Sequence, residues 1–537
     1  MVSFPSIFND VLGPVMRGPS SSHSAASLRI GRMALDLMDS DIKSVTVDYD
    51  PNGSLVTTHL SQGSDLGLTG GILGWETDDP RLPNYRDEVI KAGIDIEVRY
   101  LDYGAEHPNT YQLTLRGNQK EHAMTAISTG GGMIEVQKID DIPVNMKGDY
   151  YEIVIFLKNP DAGLSDWLSK DNNFDEVVFV EGEKKSLINL KSREAPTKNL
   201  IEELNSYSSV IELRILKPVL PVLARKNLKV PFSSVQEMEE YRNEYGEMSL
   251  GELGAIYESE RSGLSINEVR DRMSSLIKTM EDSIQTGLKG THYRDRILHS
   301  QSPRFGDKME SGDLIPGDVL NRIILYVSSM MEMKSSMGVI VAAPTAGSCG
   351  ALPGAVLGVS DALNKNMDER IDAMFAAGMV GVFIASGATF AAEEAGCMAE
   401  CGSGASMGAA GIVLLNGGNY RQQMAAASMA LQSSLGMTCD TLANRVEAPC
   451  LGRNVTAASN ALSSANMALA DYDDLVPLDQ VIGAMRQVGD LMPRELCCTG
   501  LGGLAITPAS KELERKLKIN QKENQNSEKQ LNQTRDL

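Results

Sequence analysis

Seven cysteines hold most of the reactive chemistry in this sequence, and none of them occurs in the first 348 residues. Cys397 and Cys401 stand four apart in "GCMAECGSG". Cys439 and Cys450 bracket "CDTLANRVEAPC", Cys349 sits in "APTAGSCGALP", and Cys497 and Cys498 are adjacent. A thiol among small residues is most often simple core filling. Several of these, however, adjoin Gly or Pro, where an irregular backbone can aim a side chain. Zinc takes four N or S ligands, commonly as two close pairs, yet only one such pair occurs and there is no CxxC. A [4Fe–4S] cluster accepts thiolates from distant loops. Held by three of them, it keeps one iron open to act as a Lewis acid. Spacing alone leaves core filling, zinc, a disulfide and a cluster all open. An odd, unevenly spread cysteine count does not look like a disulfide framework and points to a reducing cytoplasm.

A second candidate is "GPSSSHSAA", residues 18–26. A Gly-Pro turn followed by Ser20, Ser21 and Ser22 offers hydroxyls and N–H groups near a helix start, a setting that suits a carboxylate. His23 titrates in the range where a proton can be shuttled. The plainer reading is a Ser-rich helix cap with a surface histidine. "APTAGSCG" likewise reads as a turn into a helix.

These residues need elements to hold them. Residues 1–147 mix strand-like runs ("KSVTVDYD", "GIDIEVRYLDY", "TYQLTLRG") with Gly-rich turns and the helically spaced "IGRMALDLMDSD", which predicts an α+β domain. Residues 148–225 read strand, short helix, strand, then helix and strand, a small α/β module of the ligand-sensing kind. Residues 226–245 are expected to be a linker. Residues 246–512 are Ala-, Gly- and Met-rich and predicted to be all-helical, with two Ser-led starts serving as N-caps. Residues 513–537 form a polar, Gln/Asn-rich tail expected to be disordered.

The formal charge of −21 leaves no basic surplus to meet phosphates, which argues against nucleic acid and against an anionic membrane surface. No basic-then-apolar secretory signal is seen at the N-terminus. Residues 373–392 form an uncharged run of 20. They are Ala- and Gly-rich without aromatic or basic anchors, so a helix buried on all sides is expected rather than a membrane span.

Taken together and in order, the motifs resemble the iron–sulfur-dependent L-serine dehydratases (L-serine ammonia-lyases). The matching stretches are "GPSSSHSAA" (18–26), "GGILGWETDD" (70–79), "HPNT" (107–110), "GGGMIEV" (130–136), "APTAGSCGALP" (343–353), "GCMAECGSGASMGAAG" (396–411), "CDTLANRVEAPCLGRN" (439–454) and "GLGGLA" (500–505). The resemblance implies a β domain facing a helical α domain across the active site, both on one chain, with an ACT-like module at about 148–225. It implies a [4Fe–4S] cluster on Cys397, Cys439 and Cys450, and conversion of L-serine to pyruvate and ammonia without pyridoxal phosphate. It makes His23 and Asp65 candidate catalytic residues. Ser20, Ser21, Ser22, His107, Asn109, Thr345 and Ser348 become candidate substrate contacts. A homodimer is expected, since ACT-like modules often pair.

The chain departs from the family pattern at two places. The usual "GHGTD" stretch reads "GSLVTTHLSQGSD" (53–65), which puts Gln62 where a histidine is expected, with His59 three residues earlier on an expected strand. Between the cysteine ligands, "TLANRVEAP" brings in Asn444 and Arg445, candidates to meet a second carboxylate on a β-hydroxy dicarboxylate substrate. Threonine or cysteine as substrate, and a non-catalytic cluster-bearing amino-acid sensor, are the competing readings. Cys401 and the Cys497–Cys498 pair read as small buried residues, although Cys498 adjoins "TGLGGLA" near the expected site.

Overall fold

A computed structural model describes residues 4–170 and 174–518. Of the tail, residues 513–518 finish a helix over 508–518, and the remainder lies outside the described residues.

The first described residues lie in the helical part rather than the sheet part. Ile7, Phe8 and Val11 are buried in the helical core, and Ser6 Oγ and Ile7 N donate to the carboxylate of Glu258 at 2.7 Å each. Strand β1 (Val15–Met16) then pairs antiparallel with β12 (Ile340–Val341). This pairing lays the end of the first segment beside the chain entering "APTAGSCG".

The large sheet is mixed and six-stranded. Its strands are β2 (Ser44–Tyr49), β3 (Asp95–Tyr100), β4 (Thr110–Arg116), β5 (Glu121–Gly130), β6 (Met133–Ile139) and β7 (Ile142–Met146), in the order β3-β2-β4-β5-β6-β7. Only β2 and β3 pair in parallel. In β4, buried Tyr111, Leu113 and Leu115 alternate with Gln112, Thr114 and Arg116, so one face turns inward. That face packs on Ile30, Met33, Ala34 and Leu37 of helix α1 (Ala26–Leu37). Helices α2 (Leu55–Gln62) and α3 (Ser64–Ile72) follow β2. The stretch expected to carry His59 on a strand is therefore helical, and His59 and Gln62 lie three apart on α2. Gly67 of α3 lies so close to the turn before α1 that a Cβ would sit 2.0 Å from Ser24 O. Only glycine permits this approach, and it sets α2 and α3 against the serine turn.

The small sheet comprises β8 (Tyr151–Leu157), β9 (Glu176–Val180), β10 (Ser186–Ser192) and β11 (Val210–Leu216) in the order β11-β8-β10-β9, antiparallel throughout. With helices Ala162–Lys170 and Lys198–Ser206 the connectivity is βαββαβ, a ferredoxin-like arrangement. Ile153, Ile155 and Leu157 face those helices, while Val154 and Phe156 face the core of the large sheet. Residues 235–245, read as part of a linker, form the helix Val235–Tyr245, capped by Ser234.

From residue 250 onward the structure is almost wholly helical. Both Ser-led starts are capping boxes, Ser249 with Glu252 and Ser265 with Glu268. Helix Ser403–Leu415 runs through the centre, buried over most of its length and made largely of Gly, Ala, Ser and Met. Met367–Gly387 and Ala392–Leu415 are apolar enough in length and composition to cross a membrane, but 72% and 89% of their most apolar windows are buried within the protein. Small side chains let these helices approach closely, which explains an uncharged run that carries no anchors.

Candidate active site

The serine turn supplies the first wall. Ser20 is extended, Ser21–Ala25 form a single wide turn, and α1 follows. His23 is fully buried, not a surface residue. Its Nδ1 lies 3.0 Å from Ser20 Oγ and its Nε2 lies 2.9 Å from Thr58 Oγ1 on α2. The Thr58 hydroxyl donates its one proton to Ser54 O at 2.7 Å. It can therefore only accept from the imidazole, so Nε2 carries the ring proton. Burial drives the His23 pKa down to about 3, helped by nearby His59, so the ring is neutral and Nδ1 presents a lone pair.

The second wall is the segment before Cys397. Helix Ala392–Cys397 breaks at Ala395 and Gly396, the latter at φ 64°. Glu393 Oε1 lies 3.5 Å from His23 Nδ1, and its side chain is only 3% exposed. Burial raises its pKa to about 7, and the charge of Glu400 adds to this. Its Oε2 has no hydrogen-bond partner. Asn109, fully buried and accepting from Ser54 Oγ, faces Glu393, and its own Nδ2 has no partner of hydrogen-bond geometry. His107 Nε2 lies 3.5 Å from Glu394 Oε1.

The third wall is "APTAGSCG". Ala346 N donates to Ser21 Oγ at 3.2 Å, which ties this loop to the serine turn. Thr345 Oγ1 and Ser348 Oγ are 3.1 Å apart, and Thr345 Oγ1 donates to Glu400 Oε1 at 2.6 Å. Gly347 leaves room for this carboxylate, since a Cβ there would fall 2.5 Å from Glu400 Oε1 and push that side chain aside. Burial raises the Glu400 pKa against the pull of Thr345, Lys334 and Arg453.

The cysteines form the floor. Cys397 acts electrostatically on Cys439 and Cys450, and its thiol is in side-chain contact with that of Cys401. Cys439 N donates to Leu496 O and Cys498 N to Cys439 O, at 2.7 and 2.8 Å. This short bridge sets the Cys498 thiol on that of Cys439. Cys498 holds φ at 60°, a strained value for a residue with a side chain. Gln62 Nε2 donates to Cys498 Sγ at 3.3 Å, so the residue at the expected histidine position does reach this floor. Burial pushes the thiol of Cys450 up to about 12, against the pull of Lys334 and Arg453. Lys334 is wholly buried and donates to Val446 O, and Arg453 pairs with Asp440. The two cations lower the Cys450 thiol but do not overcome its burial, so it stays raised. Asn454 joins floor to wall: Oδ1 accepts from Gly350 N and Ala351 N, while Nδ2 donates to Gly347 O, Cys450 O and Cys401 Sγ. Among the described residues, no three His, Cys, Asp or Glu side chains close on one point as a single metal ion requires.

Pairwise contacts link these residues: Ser21 meets Ala346, His23 meets Ser20 and Glu393, Asn109 faces Glu393, Thr345 meets Ser348 and Glu400, and Asn454 ties Gly347 to Cys450, with Ser22 buried in the serine turn. Asp65 is engaged elsewhere: its Oδ1 meets His59 Nδ1 at 2.7 Å, and His59 Nε2 meets Tyr100 OH at 2.9 Å. Arg445 faces Glu447, with 3.8 Å between Nη2 and Oε2, and Asn444 donates to Thr57 O. Sequence reading missed Glu393, Glu400, Lys334 and Asn454. The glutamates had a signal, as carboxylates inside an otherwise uncharged small-residue stretch.

The family model described as "Serine dehydratase alpha chain" matches residues 212–505. The chain is 34% identical over 286 residues to the "Probable L-serine dehydratase, alpha chain" of Bacillus subtilis (strain 168), covering 53% of this chain and 95% of that protein. It is 30% identical over 218 residues to the "Probable L-serine dehydratase, beta chain" of the same organism, covering 40% and 98%. With "L-serine dehydratase 1" of Escherichia coli (strain K12) it shares 32% identity over 284 residues, 51% of this chain and 62% of that protein. The chain belongs to the serine dehydratase family, and is an enzyme of the lyase class.

Proposed function

We propose that this enzyme eliminates water from L-serine, giving pyruvate and ammonia, with a [4Fe–4S] cluster held by Cys397, Cys439 and Cys450. The observation that carries this reading is that Cys397 lies near enough to Cys439 and Cys450 to act on both, with Lys334 and Arg453 beside Cys450, while Asn454 ties Cys450 to the loop whose Ala346 meets Ser21 of the serine turn. A polynuclear cluster asks each thiolate to meet its own iron, so it does not need the convergence a single ion demands. A positively charged centre also offsets the cost of ionising buried thiols. When bound, such a cluster supplies a Lewis-acidic iron that polarises a hydroxyl or carboxylate.

The chain's own residues do the rest. Ser20, Ser21, Thr345 and Ser348 line the wall; Ser21, which accepts from Ala346 N, keeps its proton for the substrate carboxylate, and Asn109 Nδ2 offers a second unused donor, while Thr345 has given its proton to Glu400. The walls exclude bulk water, so these few donors orient the substrate strongly. Arg445 is already turned to Glu447, which favours serine over a dicarboxylate. The ferredoxin-like connectivity of residues 151–216 supports an ACT-like module. Its two edge strands expose Phe179 and Ile211, which supports a homodimer through that module. Seven free cysteines fit a reducing cytoplasm.

Protein purified without oxygen is expected to contain iron and acid-labile sulfide, to form pyruvate from L-serine, and to lose that activity in air. Iron-free protein would overturn the cluster. Iron-containing protein that binds serine without turnover would favour the sensor reading.

A further inference from the structure

Gln62 lacks a basic site, Asp65 is held by His59, and the one lone pair of neutral His23, on Nδ1, already faces the Ser20 hydroxyl at 3.0 Å. One group in the site remains both buried and unspent: the carboxylate of Glu393, with Oε2 unpartnered and Oε1 facing the His23 lone pair at 3.5 Å. We propose that Glu393 is the base that removes the Cα proton, with neutral His23 as its positioning partner. This rests on the dehydratase reading above.

The geometry favours a proton acceptor over a structural carboxylate. A buried structural carboxylate normally has both oxygens hydrogen-bonded, as Glu258 has. Glu393 Oε2 and Asn109 Nδ2 both lack a partner of good hydrogen-bond geometry within the protein, and the Asn109 amide faces Glu393 and favours its ionised form. Ionised, Oε1 faces a lone pair on His23 Nδ1 at 3.5 Å and gains nothing from it, since that lone pair accepts from Ser20 Oγ at 3.0 Å. Protonated, Glu393 can share that acceptor with Ser20, so the pair is better matched once the proton is taken up. The groups facing Glu393 are His23, Asn109, Tyr111, Glu394, Glu400 and Cys497, and burial with the two neighbouring glutamates keeps its affinity for protons above that of an ordinary carboxylate.

The balance of the step is simple. Glu393 takes the Cα proton, and the pair from the broken Cα–H bond becomes the second bond between Cα and Cβ. The Cβ–O bond breaks with its electron pair on the departing hydroxide. The proton held by Glu393 completes that hydroxide to water and restores the carboxylate. The aminoacrylate then tautomerises and hydrolyses to pyruvate and ammonia. No electron is gained or lost overall.

Glu393→Gln, made in the full chain and loaded without oxygen, tests this. The variant is expected to keep the parent's iron and sulfide content and to retain labelled L-serine in equilibrium dialysis. Its kcat should fall by roughly 100- to 10,000-fold, with KM little changed, and Glu393→Asp should recover part of the loss. A cluster-loaded Gln variant keeping more than about a tenth of the parental kcat would overturn the assignment to Glu393 and leave the dehydratase reading intact. A parent that makes no pyruvate overturns that reading instead. Should the Gln variant fail to load, the parent's pH profile decides. The base works deprotonated, so kcat should climb as pH rises through about 7; a kcat flat between pH 6 and 8 would refute the proposal.

Discussion

Asn454 tests whether the thiol floor and the hydroxyl wall are one mechanical unit. Its side chain is fully buried near the start of the helix Cys450–Leu469 and makes five hydrogen bonds, three of them to the loop 347–351. Truncation to alanine deprives the Gly350 N–H and the Gly347 carbonyl of the partner they have, whereas Ala351 N keeps its bond to Ser348 O. Two buried groups left unmet cost about 1–3 kcal/mol each, so Asn454→Ala should lose about 3 kcal/mol. For a cooperative helical unit of this size that is a fall of about 5 °C in Tm. The measurement is thermal unfolding of cluster-free protein by circular dichroism at fixed pH, which separates the packing effect from iron loss. Asn454→Asp keeps the acceptor for Gly350 and Ala351 but turns an oxygen on Gly347 O and Cys450 O, so it should be no better than alanine. An Asn454→Ala variant melting within about 1 °C of the parent would refute the idea that this residue holds the two walls together.

Three further outcomes follow from the packing and charge. Serine at Cys397, Cys439 or Cys450 should abolish iron and sulfide binding, while Cys401→Ser should keep both despite its contact with Cys397; equal iron loss in all four would undo the ligand assignment. Gly411→Ala places a Cβ 2.9 Å from Ala373 O and should cost about 1–3 kcal/mol, whereas Gly483→Ala meets nothing within 4 Å and should gain about 0.5–1 kcal/mol in a urea titration. Glu258 is raised by burial from 4.5 to about 7, with Ser6, Ile7 N, Arg261 and Asp10 around it. A carboxyl raised in the folded state contributes stability below its unfolded pKa and loses it as pH rises through 7. Glu258→Gln should therefore gain on the parent by up to about 3 kcal/mol between pH 5 and pH 8, and Tm values that run parallel across that range would contradict the assignment.

What the sequence disclosed and what it concealed divide along the range of the interactions. The capping boxes at Ser249 and Ser265 are local, set by a serine and a glutamate three residues on, and they were legible. So was the burial of residues 373–384, because small residues without interfacial anchors suit close helix packing and not lipid; the run does not continue as one buried helix, since the helix ends at Gly387 with Ser386 and Gly387 exposed. The cysteine floor was legible only as spacing: nothing local puts Cys498 on Cys439, since that contact comes from a two-bond bridge between distant loops. His59 was misplaced because β-branched Val56, Thr57 and Thr58 favour a strand, and the packing of α3 on the serine turn overrides that preference. His23 looked like a surface residue by its serine neighbours, but its burial is decided by Thr58 and Glu393, 35 and 370 positions away.

The same long-range contacts explain how one site is built from two halves of the chain. Residues 6–16 bury Ile7, Phe8 and Val11 among the helices and pair with Ile340–Val341 before the chain enters the sheet part through the serine turn. Ser21 and Ala346 therefore meet through anchored backbone on both sides. A loop docked only by its own side chains would need to hold His23 against Glu393 across a face with no covalent tie. Here the tether on one side is a strand pair and on the other a buried carboxylate, Glu258. Preorganisation of the proton-transfer pair thus depends on residues far from it in sequence, and one of them, Glu258, is a buried carboxyl raised to about 7, so the anchoring of this segment is tied to pH.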